Sequence, residues 1–417
     1  MKKLLDIAMD IGEQMLISGA EVHRVEDTIS RICKAFGASR VDVFFITSSM
    51  VATIHDKEGL PYTQTRRLLN VGTDFTTLSK LNALSRKICS SLSISIEEIE
   101  RELIAIKNGK HYPFYLEGVF YALIAFAFTL FFGGNVIESI ISAVIGYGVK
   151  IATVFIDKLL QNKIFSKFVS SFLLTALAYL FYSVNIIPSV DYVIIGNIMT
   201  LIPGVNLTNS LRDLFTGDSM TGVLRFIEAL LTALAIALGY VVFLFLIGGK
   251  PLGVGTTAYS GATFYVIQII TAIIGSIGFG FIYNVHGKSL IAVGVGGGIA
   301  WGLHLLIFYL TSNETVSYFI VSLFVSIYSE IMARVLKAPT TVFVTPSLIP
   351  LVPGASLYYT MRSMFGGNLL SFTESAVLTL KLSASLALGV IVATAIMKVV
   401  YIAISKLKIK RNCSKNG

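Results

Sequence analysis

A ten-residue string in the middle of this chain recurs near its C-terminal end at a constant offset of 150 residues. LIPGVNLTNS at 201–210 corresponds to LVPGASLYYT at 351–360, and further matches pair Arg212, Phe215 and Gly217 with Arg362, Phe365 and Gly367. A Pro-Gly pair inside an apolar segment interrupts a helix, because Pro lacks an N–H and Gly lacks a Cβ. Interrupted helices at matching positions of two halves are typical of membrane transporters and point to their binding sites. The repeat therefore predicts a transporter built from a duplicated unit.

Composition agrees with a membrane protein. Hydrophobic residues make up 54% of the chain and charged residues 14%, whereas an ordinary soluble domain carries about 25% charged residues. Residues 1–113 hold 15 basic and 14 acidic side chains, and the other 304 residues hold 18 basic and 10 acidic ones. The excess positive charge thus falls in the membrane part, where basic loops face anionic lipid. Nucleic acid is not an expected partner, since no basic patch with interleaved aromatic residues occurs.

Ten segments are long and apolar enough to cross a bilayer as helices, which takes about 20 residues each. They cover residues 114–132, 136–156, 165–187, 190–210, 221–247, 261–284, 288–310, 315–336, 339–360 and 376–403. We therefore predict an all-α polytopic membrane protein preceded by a small α+β domain. Its predicted parts are the domain at 1–113, a five-helix unit at 114–250, and a second unit with a basic tail at 251–417.

Basic residues concentrate in the links after even-numbered spans, which orients the chain by the positive-inside rule. These links and the C-terminal tail hold Lys158, Lys163, Lys167, Arg212, Arg225, Lys288, Arg334, Lys337, Lys406, Lys408, Lys410, Arg411 and Lys415. The odd-numbered links hold only Lys250 and Arg362. The N-terminus does not continue as a signal peptide, because Asp6, Asp10 and Glu13 interrupt its apolar run. We expect a multi-pass protein of the plasma membrane with both termini in the cytoplasm.

The Pro-Gly pairs fall in the fourth and ninth predicted spans, so the repeating unit has five helices. An odd number of crossings inserts the second copy in the opposite orientation, which predicts a 5+5 inverted repeat. Two weaker matches support the repeat: IALG at 236–239 with LALG at 386–389, at the same offset, and Asn135-Val136 with Asn284-Val285, at an offset one residue shorter. Such an arrangement permits alternating exposure of one central site to the two sides of the membrane.

Residues 1–113 show helical spacing first and strand patterns afterwards. Apolar residues at helical spacing run through 3–36 with a turn at 18–21, where Ser18 and Glu21 would form a capping box for the second helix. The later elements predicted are strands at 41–47, 50–55 and 62–69, a helix from Asp74 to about Cys89, and a helix at 96–108. Cys33, Cys89 and Cys413 lack metal-ligand spacing, so no disulfide, metal site or cofactor is predicted.

Several motifs resemble the threonine/serine exporter (ThrE-like) family. SGAE at 18–21 followed by RVE at 24–26 is similar to its N-terminal region, as are the strand ending in Arg66-Arg67, Asp74 with the helix after it, and the Pro-Gly repeats. The resemblance spans essentially the whole chain and implies the fused form, with both membrane halves in one polypeptide. It implies export of threonine and serine, whereas relatives with separate halves are associated with dicarboxylates.

A substrate site is expected at the two breaks. Each break frees carbonyls before it and N–H groups after it, and the N-terminus of the new half-helix attracts a carboxylate. Neighbouring short polar side chains suit the ammonium and hydroxyl of a small amino acid, and two anion-binding arginines would instead favour a dicarboxylate. The candidates are Pro203, Gly204, Asn206, Thr208, Asn209 and Arg212 in the first copy, and Pro353, Gly354, Ser356, Thr360 and Arg362 in the second.

Proton coupling needs a carboxylate that titrates in a partly dry site. Glu228 in the fifth span and Glu330 in the eighth are the candidates, with Lys381 in the tenth as a counter-charge. The alternative is surface pairing, of Glu330 with Arg334 and of Glu228 with Arg225.

Four polar residues of the N-terminal segment are further candidates, as the lining of a cytoplasmic antechamber or gate. They are Glu21, Arg24, Glu26 and Arg67. The alternative is that Arg24 and Glu26 are solvated helix residues and that Glu21 only completes the cap of its helix. His23 and His55 are isolated from any nucleophile motif, which disfavours catalysis.

The predicted function is secondary active export of threonine and serine driven by proton influx. The expected partners are the small-molecule substrate, protons and the lipid bilayer, and the sequence leaves a homo-oligomer open. The alternatives are a dicarboxylate exporter on the same fold, a passive channel, and a membrane-anchored enzyme that uses residues 1–113.

Overall fold

The computed structural model describes residues 1–46, 49–68, 72–90, 94–109, 111–160, 162–248, 255–365 and 368–413. Most of these residues are helical, and three strands lie near the N-terminus. The fold therefore has a mixed N-terminal region followed by a long helical part.

Among the described residues, the N-terminal region contains four helices and one antiparallel sheet. Its elements are α1 (Lys2–Ile17), α2 (Val22–Ala35), β1 (Arg40–Ile46), β2 (Ser49–His55), β3 (Pro61–Arg67), α3 (Phe75–Ser90) and α4 (Ile96–Lys107). The sheet order is β1-β2-β3, with both pairs antiparallel. The three strands form where the alternation of β-branched and aromatic residues predicts them, although the predicted ends at Thr47 and Leu69 lie outside the described residues. Asp74 caps α3 as predicted, since its carboxylate accepts the N–H of Thr77 at 3.0 Å.

The predicted capping box at the start of α2 is wrong. Ser18 is the C-cap of α1, and Glu21 is the N-cap of α2 without a side-chain capping bond. The reason is Gly19, whose φ of +90° ends α1 in a left-handed turn and delays the next helix by three residues. The Glu21 carboxylate is consequently available for a partner outside its own helix.

The remaining helices form the apolar part of the chain. The long ones are α5 (Phe114–Phe131), α6 (Val136–Leu160), α7 (Lys163–Ser183), α10 (Ser219–Leu246), α11 (Gly261–Ile282), α12 (Lys288–Thr311), α13 (Glu314–Val335) and α16 (Leu369–Cys413). The short ones are α8 (Asp191–Ile198), α9 (Gly204–Thr216), α14 (Thr341–Ser347), a 3-10 turn at Ile349–Leu351, and α15 (Gly354–Phe365).

Eight helices among the described residues are long and apolar enough to cross a membrane, or nine if one bent pair counts as a single span. That pair consists of Thr341–Ser347 and Ile349–Met364, which meet at 42°. The fourth predicted span, 190–210, is not among them. It is interrupted after Ile198, and α9 continues past the predicted end through Arg212 and Asp213. The composition therefore supports a polytopic membrane protein, and the described residues contain fewer such helices than the ten predicted.

The N-terminal region packs against the link between α11 and α12. The Phe75 N–H donates to the carbonyl of Tyr283 at 2.9 Å, and the Asn284 amide donates to the Asp74 carboxylate at 2.9 Å. The Tyr112 ring stacks on His286 with their centroids 4.4 Å apart. One hydrophobic core runs from α1 and the sheet to residues of α12, α13 and α14. The N-terminal region is thus attached to the helical part through both polar and apolar contacts.

Candidate substrate site at the two helix breaks

The two interrupted elements touch each other at their Pro-Gly breaks. A Cβ added to Gly204 would lie 2.1 Å from Cγ1 of Val352, and one added to Gly354 would lie 2.6 Å from Sδ of Met199 and 3.8 Å from Cδ1 of Ile202. Ile202 and Val352 occupy equivalent positions of the repeat. Each break therefore packs against the residues just before the other break.

The half-helices that follow the breaks begin at this contact. Gly204 is the first residue of α9 and Gly354 the first residue of α15. The first N–H groups of a helix have no partner in the helix and carry a partial positive charge. Two positive helix ends therefore lie close together in the apolar part of the protein, which is an environment that favours a carboxylate.

Polar side chains beside the breaks differ between the two copies. On α9, Asn206 is exposed and the Thr208 hydroxyl is buried without a hydrogen-bond partner among the described residues. On α15, the Ser356 hydroxyl donates to the Pro353 carbonyl at 3.0 Å, and the Thr360 hydroxyl donates to the Ser356 carbonyl at 2.7 Å. The groups available to a ligand thus lie mainly on α9, where Asn209 is also partly exposed.

Arg362 forms a buried ion pair with a residue of the other half. Its guanidinium donates to the Asp191 carboxylate at 2.8 Å, and the two side chains are only 17% and 8% exposed. The Tyr358 hydroxyl donates to the same carboxylate at 3.2 Å. A cavity of about 10 Å³ adjoins this pair, which is room for one water and far too little for an amino acid. Besides Tyr358 and Arg362, it is lined by Ile198, Ile236, Ala237, Tyr240 and Met361.

Arg212, the counterpart of Arg362, is held by the N-terminal region. Its guanidinium donates to the Glu21 carboxylate at 3.0 Å, with side-chain exposures of 16% and 24%. Asp213 lies 3.9 Å from Arg212 and 2.6 Å from Arg225. The alternative of a Glu228–Arg225 pair is not what the structure shows, because Arg225 is bound to Asp213.

Basic side chains surround the Glu21 carboxyl. Burial raises its pKa, but Arg212, Arg24 and His23 together outweigh burial, so that the pKa lies below its ordinary value. Glu21 is consequently ionised at neutral pH, and its contact with Arg212 weakens only under acidic conditions below that ordinary value.

The other N-terminal candidates do not form one cluster. Burial and the nearby Asp218 raise the pKa of Glu26. Arg67 is exposed at the end of β3, whereas its neighbour Arg66 forms ion pairs with acidic residues of α1. Glu21 therefore contacts the helical part of the protein through Arg212, whereas Arg67 is exposed on the N-terminal region.

The proton-coupling candidates occupy different environments. Glu330 is partly buried and accepts the Thr340 hydroxyl at 3.0 Å. Arg334, which the alternative of a surface pair would place beside Glu330, instead lies over the Tyr401 ring, 3.0 Å from the centroid. Glu228 and Lys381 are both exposed on the outer surface of their helices and form no ion pair within the described part of the chain.

Asp191 and His304 are polar residues of the helical part that the sequence analysis missed. Asp191 could have been found, because it is the sole acidic residue of the fourth predicted span. His304 is buried in α12 with its Nδ1 2.9 Å from the Ser317 hydroxyl, and a single histidine gives no such sequence signal. Across the described ranges, no group of three or more His, Cys, Asp and Glu side chains could hold a metal ion.

Comparison with known proteins places the chain in a family. The sequence model described as "Putative threonine/serine exporter" matches residues 6–247, and the one described as "Threonine/Serine exporter, ThrE" matches residues 268–396. The chain belongs to the threonine/serine exporter family. The family resemblance noted from the sequence is thereby confirmed, and the matches include the N-terminal region as well as both breaks.

Two relatives in this family span most of the chain. A "Probable threonine/serine exporter" of Mycobacterium tuberculosis is 22% identical over 413 residues, covering 93% of this chain and 76% of the relative. The "Threonine/serine exporter" of Corynebacterium glutamicum is 24% identical over 409 residues, covering 93% and 81%. No solved structure matches this chain.

Proposed function

We propose that this chain exports threonine and serine across the plasma membrane as a secondary active transporter. The observation that carries the proposal is the contact between the two Pro-Gly breaks in a member of the exporter family. Two half-helix N-termini converge there, and the short polar side chains of α9 lie beside them. The site would take the substrate carboxylate at the helix ends and the ammonium and hydroxyl at Asn206, Thr208 and Asn209.

The ion pairs favour an amino acid over a dicarboxylate. A second carboxylate on the substrate would need a free cation near the breaks. Arg212 and Arg362 are instead bound to Glu21 and Asp191, which are carboxylates of the protein itself. The dicarboxylate alternative would require the substrate to displace one of them.

Equivalent contacts support a 5+5 inverted repeat. A Cβ on Gly239 of α10 would lie 2.3 Å from the carbonyl oxygen of Phe168 in α7, and one on Gly389 of α16 would lie 2.6 Å from that of Phe319 in α13. The two glycines are 150 residues apart and the two phenylalanines 151. In each proposed unit, the fifth helix therefore packs on the third helix through a glycine at an equivalent position.

The contacts of the N-terminal region support cytoplasmic termini. This region touches Arg212, the link at 283–286 and the carbonyl of Lys337, which follow the fourth, sixth and eighth predicted spans. Those even-numbered links carry the basic residues, and the positive-inside rule assigns them to the cytoplasm.

Proton influx is the proposed driving force, with Glu330 the better candidate for the titrating group. Its carboxylate is partly buried and hydrogen-bonded, whereas Glu228 points outward. Replacing Glu330 with glutamine should remove the dependence of efflux on a pH gradient.

We expect purified protein in liposomes to release preloaded labelled threonine and serine faster when a pH gradient is imposed. The same vesicles loaded with succinate test the dicarboxylate alternative. Equal leak of all three solutes without a gradient would identify a channel and contradict the proposal. Absence of any efflux, together with turnover of a substrate by the purified protein, would favour an enzyme.

A labelling experiment tests the orientation. Cys89 is exposed in α3, whereas Cys33 is buried and burial raises the pKa of its thiol to about 12. In a Cys413→Ala background, a membrane-impermeant thiol reagent should leave intact cells unlabelled and should modify Cys89 after permeabilisation. Modification of Cys89 in intact cells would place the N-terminal region outside.

A further inference from the structure

The partners of the two equivalent arginines break the symmetry of the repeat. Arg362 on α15 is bound by Asp191, which is the first residue of α8. The position equivalent to Asp191 in the second copy is Thr341, the first residue of α14. A threonine carries no charge, so the second copy supplies no carboxylate for Arg212 at the matching place.

The N-terminal region supplies that carboxylate instead. Glu21 lies in the loop that leads into α2 and reaches the Arg212 guanidinium at 3.0 Å. The Thr341 hydroxyl is buried without a hydrogen-bond partner among the described residues. The positive charge of Arg212 is thus neutralised by a carboxylate from a segment that lies outside the repeat.

The N-terminal region also connects the two halves of the helical part. It holds α9 of the first half through Arg212, and it holds the second half through Asn284 and the Lys337 carbonyl, which accepts from Arg86 at 3.4 Å. Alternating exposure of a site between two repeats requires one unit to move relative to the other. Any such motion at this end must separate the N-terminal region from one of the halves.

We propose that the N-terminal region is the gate at the cytoplasmic end, held closed by the Glu21–Arg212 pair. The proposal rests on the exporter function and on alternating exposure of the site at the breaks. At the opposite end, the Asp191–Arg362 pair closes the protein from within the repeat. Export would then require the Glu21–Arg212 pair to break for substrate entry and the Asp191–Arg362 pair to break for release.

Two properties of the pair fit this role. Both side chains are mostly buried, so the contact is little screened by salt. Arg212 keeps a second acidic neighbour, Asp213, at 3.9 Å. The Arg212 guanidinium therefore still has an acidic partner after the Glu21 carboxylate has moved away. Opening of the gate does not leave Arg212 as an unpaired buried charge.

The test measures access to the site from the cytoplasmic side. In a background with Cys33, Cys89 and Cys413 replaced by alanine, a Thr208→Cys reporter is labelled in inside-out vesicles with an impermeant maleimide. We expect Glu21→Gln and Arg212→Gln each to speed labelling about tenfold, because each removes a charge-assisted hydrogen bond. The double variant should label no faster than either single one, since both remove the same interaction.

The matched control is Asp27→Asn on α2, which removes an exposed pair with Arg31 instead. It should leave the labelling rate unchanged, and thermal unfolding should show that all the variants are folded. Equal labelling of the parent and the folded Glu21→Gln variant would overturn the gate. If the effects of the two glutamine variants on the labelling rate were additive, the Glu21–Arg212 pair would not be what holds the gate closed. Because labelling does not depend on the transported solute, these results can be interpreted even if threonine and serine are not the substrates.

Discussion

Replacing Arg362 with alanine is expected to reduce threonine efflux at least tenfold while the protein still reaches the membrane. The substitution leaves the Asp191 carboxylate, 8% exposed, without the guanidinium at 2.8 Å. Breaking a buried ion pair by removing one partner costs about 3–5 kcal/mol. Because the pair joins α8 to α15, that cost falls on the contact between these two helices, which the proposed release of substrate has to break. Efflux from proteoliposomes and the amount of protein in the membrane measure the two effects separately.

A set of companion variants separates transport from stability. The double variant Arg362→Ala with Asp191→Ala should recover part of the lost thermal stability, because it leaves no unpaired carboxylate, but should not recover gated efflux. Arg334→Ala is the matched control, since this exposed guanidinium lies on the Tyr401 ring and takes no part in either pair. Normal flux in the Arg362→Ala variant would contradict a role of this ion pair in transport.

Local sequence signals located the elements well. The Pro-Gly pairs predicted interruptions in two apolar segments, and α9 and α15 begin at the glycines of those pairs. The strands β1, β2 and β3 begin or end within two residues of the predicted bounds wherever both are described. Proline geometry and side-chain alternation act over a few residues, so a single sequence contains the information they need.

The contacts that define the candidate site were much harder to predict. Asp191 and Arg362 are separated by 171 residues, and Glu21 and Arg212 by 191. Each pair forms only because particular elements pack together, and helical periodicity in the sequence does not predict which elements these are. The predicted capping box was wrong for a different reason: Gly19 ends α1 in a left-handed turn, so Ser18 caps the end of α1 and not the start of α2.

Replacing Gly204 with alanine is expected to impair both stability and transport. The new Cβ would lie 2.1 Å from Cγ1 of Val352, a short β-branched side chain that is partly buried and has little freedom to move. Overpacking of this kind costs about 1–3 kcal/mol. The strain falls where the two breaks touch, so we expect threonine efflux to decrease about tenfold or more. Thermal unfolding and efflux from proteoliposomes measure the two effects.

Two other glycines provide graded controls for this contact. The Cβ of a Gly354→Ala variant would meet Sδ of Met199 at 2.6 Å, and a flexible thioether chain can move aside, so the effect should be smaller. Gly148→Ala on α6 meets nothing within 4 Å and should leave both measurements unchanged. Adding Val352→Ala to Gly204→Ala should restore much of the loss, because it removes the methyl that clashes. If the three single variants had equal effects on stability and efflux, transport would not depend on close contact between the two breaks.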